Sequence, residues 1–150
     1  MTGPRFLEDL SIGETHTTSA ISVSATDIVE FAKNYDPQAM HMDPEESDSL
    51  NLGGLIASGW HTAALVMRLL ADSKPLGGTP LIGLGVDDLR WPKPVRPGDT
   101  IQAETEVLSI RRSQSQAGYG IVRMRVTARN QQKETIYVMI TNLWVPSRNS

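Results

Sequence analysis

Three stretches in the second half of the chain alternate between apolar and polar residues. Successive side chains of a β-strand point to opposite faces of the sheet, so this period of two predicts strands with one apolar and one polar face. Such strands are typical of an antiparallel sheet that is covered on one side. The three predicted strands are residues 100–108, 120–128 and 135–145.

One long helix is expected to cover that sheet. Residues 59–72 are good helix formers and almost all apolar, and Ser58 precedes them as a suitable N-cap. A helix that is apolar nearly all round is buried in the folded protein. With further strands predicted at residues 15–24 and 81–91, the pattern indicates an α+β fold in which a curved antiparallel sheet wraps around a central buried helix.

A shorter amphipathic helix is predicted over residues 26–35. Pro37 disfavours helical geometry at the preceding residue, so this helix ends at Asp36 and leaves the Asp36 side chain at a helix end. There is no internal repeat and no linker. Residues 1–150 are therefore expected to form a single domain, with an ordered core over about residues 6–145.

Composition excludes several classes of protein. The chain has no cysteine, which rules out disulfides and a cysteine nucleophile. Its net charge of −3 argues against a nucleic acid partner, which normally requires a basic face. No segment has the pattern of a signal peptide or a membrane span, so a cytoplasmic protein without a membrane partner is expected.

Asp36 and His41 are the candidate catalytic residues. They lie five residues apart and precede Gly59, the glycine that opens the apolar helix. A carboxylate and an imidazole can transfer protons, and the free N–H groups of a helix N-terminus stabilise developing negative charge. These are the proton-transfer and anion-stabilising groups needed to add water to, or remove it from, an activated carbonyl compound. Taken alone, each residue also has an ordinary role, Asp36 in a turn before proline and His41 as a structural hydrogen-bonding residue.

Three motifs resemble those of the MaoC-like hydratase family of hotdog proteins, whose best-known members are (R)-specific enoyl-CoA hydratases. They are Asp36-x-Gln38-x-x-His41-x-Asp43, Gly54-x-Ile56-x-Ser58-Gly59 and Arg96-Pro97-Gly98-Asp99-Thr100. The family usually has Asn and Pro where this chain has Gln38 and Ala39, and often has His in place of Ser58. The resemblance covers nearly the whole chain and implies a single hotdog domain.

The resemblance implies an acyl-CoA hydratase/dehydratase, a hydro-lyase that adds water reversibly across the 2,3 double bond of an enoyl thioester. In that reading Asp36 and His41 are the acid/base pair, and the Gly59 N–H polarises the thioester carbonyl. Gly59, Ser58, Gln38 and Trp60 are the expected substrate-binding residues. No metal or redox cofactor is expected, and coenzyme A enters only as part of the acyl-CoA substrate. Hotdog proteins usually join two sheets edge to edge, which implies a homodimer or a dimer of dimers.

Two alternatives keep the fold but change the function. A hotdog acyl-CoA thioesterase usually relies on a carboxylate in the central helix, and residues 59–71 contain none. A non-catalytic acyl-CoA-binding protein would bind the ligand without turnover. The acyl chain, and the choice between coenzyme A and a carrier protein, stay open.

Several other candidate residues are expected to have mainly structural roles. Asp43 is expected to cap or brace its loop, and Trp60 and His61 to pack in the core or at a dimer interface. His41, Asp43 and His61 match no standard zinc spacing. Four arginines could meet the phosphates of coenzyme A or form a solvated face: Arg111, Arg112, Arg123 and Arg125.

Overall fold

The computed structural model describes residues 3–149, which form an antiparallel five-stranded sheet with helices packed against it. The strands lie in the order β1-β3-β4-β5-β2, and every neighbouring pair is antiparallel. This confirms the predicted α+β architecture. The strands are β1 (Thr15–Ser22), β2 (Ile82–Arg90), β3 (Thr100–Arg112), β4 (Tyr119–Arg129) and β5 (Thr135–Pro146).

Strand β3 continues to Arg112, beyond the end at residue 108 that the alternation predicts. Its register against β4 shifts between Val107 and Ser109, which marks a β-bulge. A bulge adds one residue and exchanges the two faces, so Val107 and Ile110, three residues apart, pack into the same core cluster. The predicted strand end was therefore too early because the alternation changes phase inside a continuous strand.

The helices are α1 (Ala25–Tyr35), α2 (Pro44–Ser49) and α3 (Gly59–Ser73), with 3₁₀ turns at Leu7–Asp9 and Ala39–His41. Helix α1 begins with a capping box, in which the Ser24 hydroxyl accepts from the Asp27 N–H at 3.1 Å and the Asp27 carboxylate accepts from the Ser24 N–H at 3.2 Å. Among residues 3–149, no helix combines the length and apolarity that a membrane crossing requires.

Helix α3 lies against strands β1 and β3. Its inner face contributes Val66, Leu69 and Leu70 to the main core, together with residues from α1 and the sheet. The outer face, which includes Trp60 and Met67, is exposed in the single chain. The helix is therefore buried along one side, and its apolar outer side faces away from its own sheet.

Strand β2 forms one edge of the sheet and, among the residues that the structure describes, pairs only with β5. Three apolar residues on it are about half exposed: Ile82 (48%), Leu84 (53%) and Val86 (50%). An exposed apolar edge strand is a site where another strand can pair, and folded proteins usually cover or interrupt it.

The packing of α3 predicts a large loss of stability when Leu70 is shortened. Leu70 is only 1% exposed, and a Leu→Ala change at such a position leaves a cavity that costs about 2–5 kcal/mol. We expect Leu70→Ala to lower the free energy of unfolding by that amount in urea denaturation. Ile12→Ala is the matched control, because Ile12 is 67% exposed and its loss should change stability by less than about 0.5 kcal/mol. Equal losses in the two variants would contradict the core position of Leu70.

Candidate active site

Asp36 lies at the carboxyl end of α1, where Pro37 prevents the helix from continuing. Its N–H completes the helix by donating to the Ala32 carbonyl at 2.9 Å, and its backbone then leaves helical geometry with φ −153° and ψ 68°. The side chain reaches the amino end of α3, where it meets Ser58. The sequence-based prediction of a carboxylate placed at this helix end is confirmed.

Two side chains donate hydrogen bonds to the Asp36 carboxylate. The Ser58 hydroxyl donates to Oδ2 at 2.6 Å, and the Gln38 amide donates to Oδ1 at 2.6 Å. The Ser58 bond, followed by the Gln38 bond, lowers the pKa of Asp36 below its ordinary value, whereas partial burial acts in the opposite direction. Asp36 is therefore an ionised, firmly oriented carboxylate at neutral pH.

His41 lies on the 3₁₀ turn after α1 and is buried. Its Nδ1 is 2.8 Å from the carbonyl oxygen of Ile56. Because a carbonyl can only accept, Nδ1 carries a hydrogen and donates it. Nε2 is consequently the acceptor atom of the neutral ring, and this atom faces the Asp36 carboxylate.

Nε2 of His41 and Oδ2 of Asp36 are 3.4 Å apart. When Nε2 is unprotonated, both atoms are acceptors and have no hydrogen to share, so a water molecule beside the pair can donate a hydrogen to either of them. When Nε2 is protonated, the two side chains form an ion pair. The arrangement can therefore bind water and can pass a proton between the two residues.

The amino end of α3 supplies a candidate anion site next to this pair. The Ser58 carbonyl accepts from the N–H groups of His61 at 3.0 Å and Thr62 at 3.1 Å, and its hydroxyl accepts from the Trp60 N–H at 3.2 Å. Within the described part of the chain, the Gly59 N–H has no acceptor. A free N–H at a helix N-terminus favours negative charge, so Gly59 can stabilise an oxyanion.

Ser58 confirms its predicted role as N-cap and adds a second one. The hydroxyl that caps α3 is also the donor to Asp36, so a single buried side chain links the helix start to the carboxylate. Ser58 and Gln38 both point their donors at Asp36. Their contribution to substrate binding stays a prediction, and their contact with the carboxylate was not expected from the sequence.

Trp60 and Trp91 form an aromatic pair at the start of α3. Trp60 is 58% exposed, and its ring lies edge-on to that of Trp91 with 5.2 Å between centroids. The indole N–H of Trp91 donates to the Gly59 carbonyl at 2.8 Å. Sequence reasoning does not identify Trp91, because it lies 32 residues from Gly59 and its surroundings indicate only the end of a strand.

The remaining candidates have structural roles. Asp43 caps α2 by accepting from the Glu45 N–H at 3.0 Å, as predicted. His61 stacks on Phe31 at 4.7 Å between ring centroids, which confirms its predicted packing role. Three of the four arginines considered for coenzyme A are ion-paired with carboxylates, namely Arg112 with Glu8, Arg123 with Asp87 and Arg125 with Glu106. Between residues 3 and 149, no three His, Asp or Glu side chains are grouped so as to hold a metal ion.

The hydrogen bonds on Asp36 predict how its pKa responds to substitution. Removing a donor destabilises the charged form, so the pKa of Asp36 should rise in Ser58→Ala and, to a smaller extent, in Gln38→Ala. Carboxyl ¹³C NMR titration of Asp36 measures this directly. Ser49→Ala is the control, because the Ser49 hydroxyl donates to the Glu46 carbonyl and does not contact Asp36. An unchanged Asp36 pKa in Ser58→Ala would show that the Ser58 bond does not stabilise the carboxylate.

Comparison with known proteins places the chain in a family. Residues 9–130 match the family described as MaoC like domain. The crystal structure of a MaoC-like dehydratase from Rhodospirillum rubrum aligns with a TM-score of 0.91 and 41% sequence identity, covering 97% of this chain and 99% of that one.

Two curated relatives extend the comparison. The chain is 30% identical over 131 residues to the uncharacterized protein YdeM of Bacillus subtilis, covering 87% of this chain and 92% of the relative. It is 30% identical over 155 residues to the mesaconyl-CoA hydratase of Cereibacter sphaeroides, covering 97% of this chain but only 42% of that enzyme. With the family match over most of its length, the chain belongs to the MaoC-like hydratase/dehydratase family.

Proposed function

We propose that this protein is an acyl-CoA hydratase/dehydratase that adds water reversibly across the 2,3 double bond of an enoyl thioester. One observation carries the proposal: Oδ2 of Asp36 and Nε2 of His41 face each other at 3.4 Å. Nδ1 of His41 is already committed to the Ile56 carbonyl, so the opposing pair is available for proton transfer. The Gly59 N–H at the start of α3 then serves as the oxyanion donor.

The proposed addition balances with one water molecule. With Nε2 protonated, Asp36 accepts a proton from water as the water oxygen attacks C3 of the enoyl thioester. The electrons of the double bond move toward the thioester oxygen, where the Gly59 N–H stabilises the charge, and C2 takes the proton from Nε2. The proton held by Asp36 then returns to Nε2, so the pair is restored and the elements of water have been added.

The ionisation of Asp36 suits this role. Its two donors, Ser58 and Gln38, leave it charged at neutral pH and fix its orientation. The family relationship to hydratases and dehydratases supports the same reaction class. A hotdog thioesterase usually has a catalytic carboxylate in the central helix. The only acidic residue of α3 is Asp72, which lies in the last turn and pairs with Arg68, so a thioesterase function lacks this support.

Loss of the enoyl-thioester absorbance with crotonyl-CoA tests the proposal. We expect activity in the wild type and a fall of at least ~10²-fold in both Asp36→Asn and His41→Ala, because each removes a proton-transfer group. Asp43→Asn is the matched control, since Asp43 is in the same motif but caps α2. Melting curves of all variants should coincide within a few degrees, which separates loss of chemistry from loss of fold.

The outcomes distinguish the rival functions. Full activity in either variant would overturn the assigned acid/base pair. Release of free thiol without hydration would identify a thioesterase, and binding without turnover on any enoyl-CoA would identify a binding protein. Branched and dicarboxylic enoyl-CoAs belong in the substrate panel, because one relative is a mesaconyl-CoA hydratase.

We also propose that the protein is a homodimer, or a dimer of dimers, in which the free edge of β2 contacts a second copy. The half-exposed apolar residues of β2 support this, as does the exposed outer face of α3. We expect light scattering to give two or four times the chain mass for the wild type and a shift toward monomer for Leu84→Glu. Ile12→Glu is the control, placing the same charge at an exposed apolar residue outside the sheet. A monomeric wild type would contradict the proposal.

A further inference from the structure

The indole of Trp91 lies directly against Gly59. A Cβ atom built on Gly59 would be 2.7 Å from Cε2 of Trp91, 3.0 Å from Nε1 and 3.1 Å from Cδ2. Contacts shorter than 3.0 Å are not made by real Cβ atoms, so the ring fills the space that a side chain at position 59 would need. The structure therefore gives the space beside the Gly59 Cα to the indole of Trp91.

A hydrogen bond adds to this contact. The Trp91 indole N–H donates to the Gly59 carbonyl at 2.8 Å. Glycine has the greatest backbone freedom of any residue, and the first residue of a helix is among the least restrained. On its other side the preceding residue, Ser58, accepts hydrogen bonds from three backbone N–H groups of the first turn. Gly59 is therefore fixed from both directions.

Trp91 is itself supported on two sides. The ring of Trp60 meets it edge-on at 5.2 Å, and the ring of the buried Tyr137 lies 6.5 Å away at 66°. Trp91 directly follows strand β2, and Pro92 restricts the backbone after it. Trp91 is nevertheless 38% exposed, so it contacts the protein on one side and solvent on the other.

We propose that Trp91 is a positioning residue of the active site: it holds Gly59 so that its N–H points at the thioester oxygen. This inference rests on the proposed hydratase function. An oxyanion donor acts most strongly in the transition state, so a change at Trp91 affects kcat more than KM.

Trp91→Phe tests the hydrogen bond while retaining an aromatic ring. We expect kcat for crotonyl-CoA to fall about tenfold, less than the ~10²–10³-fold that outright loss of an oxyanion donor costs, with KM changed less than kcat. Trp144→Phe is the matched control, since Trp144 stacks on Tyr119 at 4.8 Å between centroids and makes no aromatic contact with Trp91. A kcat in Trp91→Phe equal to that of the wild type would overturn the positioning role.

The Gly59 N–H can also be observed without turnover. Ser58-Gly59 is the only Ser-Gly pair in the chain, so protein made with carbonyl-¹³C serine and ¹⁵N glycine gives one carbonyl-filtered amide signal, that of Gly59. Butyryl-CoA is saturated and cannot be hydrated, which makes it a suitable probe. We expect this signal to shift on addition of butyryl-CoA to the wild type and to shift much less in Trp91→Phe.

The two readouts separate the two proposals. If the wild type hydrates crotonyl-CoA and Trp91→Phe matches it in both kcat and the Gly59 response, the positioning role is wrong and the hydratase function stands. If the wild type neither hydrates any enoyl-CoA nor shifts the Gly59 signal, the hydratase function fails and the role of Trp91 fails with it. If the signal shifts without any turnover, only the hydratase function fails, and the response of Trp91→Phe still decides the role of Trp91.

Discussion

The hydroxyl of Ser58 connects the architecture of this protein to its proposed chemistry. It accepts from the Trp60 N–H and so caps α3, and it donates its only hydrogen to Asp36. An N-cap is worth about 1 kcal/mol to a helix, but here the same group also orients a carboxylate and keeps it charged. The start of α3 and the ionised state of Asp36 therefore both depend on one buried oxygen atom.

The segment before α3 holds the rest of the site together. The Ile56 carbonyl accepts from His41, while the next residue, Ala57, donates its N–H to the Val95 carbonyl at 2.8 Å. This short stretch runs between the 3₁₀ turn that carries His41 and the loop that follows β2. His41 is thus bonded to a stretch of backbone that is itself bonded to the loop after β2.

Features set by neighbouring residues were predicted from the sequence, and features set by distant contacts were not. Pro37 predicts the end of α1 and with it the placement of Asp36, and the strand periodicity predicts the sheet. The break in alternation after Val107 indicates only the end of a strand, because pairing with β4 is what shows that β3 continues through a bulge. The bonds from Ser58 to Asp36 and from Trp91 to Gly59 span 22 and 32 residues, and only the folded arrangement of α1, β2 and α3 brings these pairs together.

The contact between Gly59 and Trp91 limits the order in which these two positions can change during evolution. Alanine at position 59 meets the indole at 2.7 Å, so it can be accepted only after the tryptophan has been replaced by a smaller residue. In the reverse direction, tryptophan can arise at position 91 only while glycine is already present. Among descendants of this protein the two positions should therefore vary as a pair, although they lie on different elements of the fold.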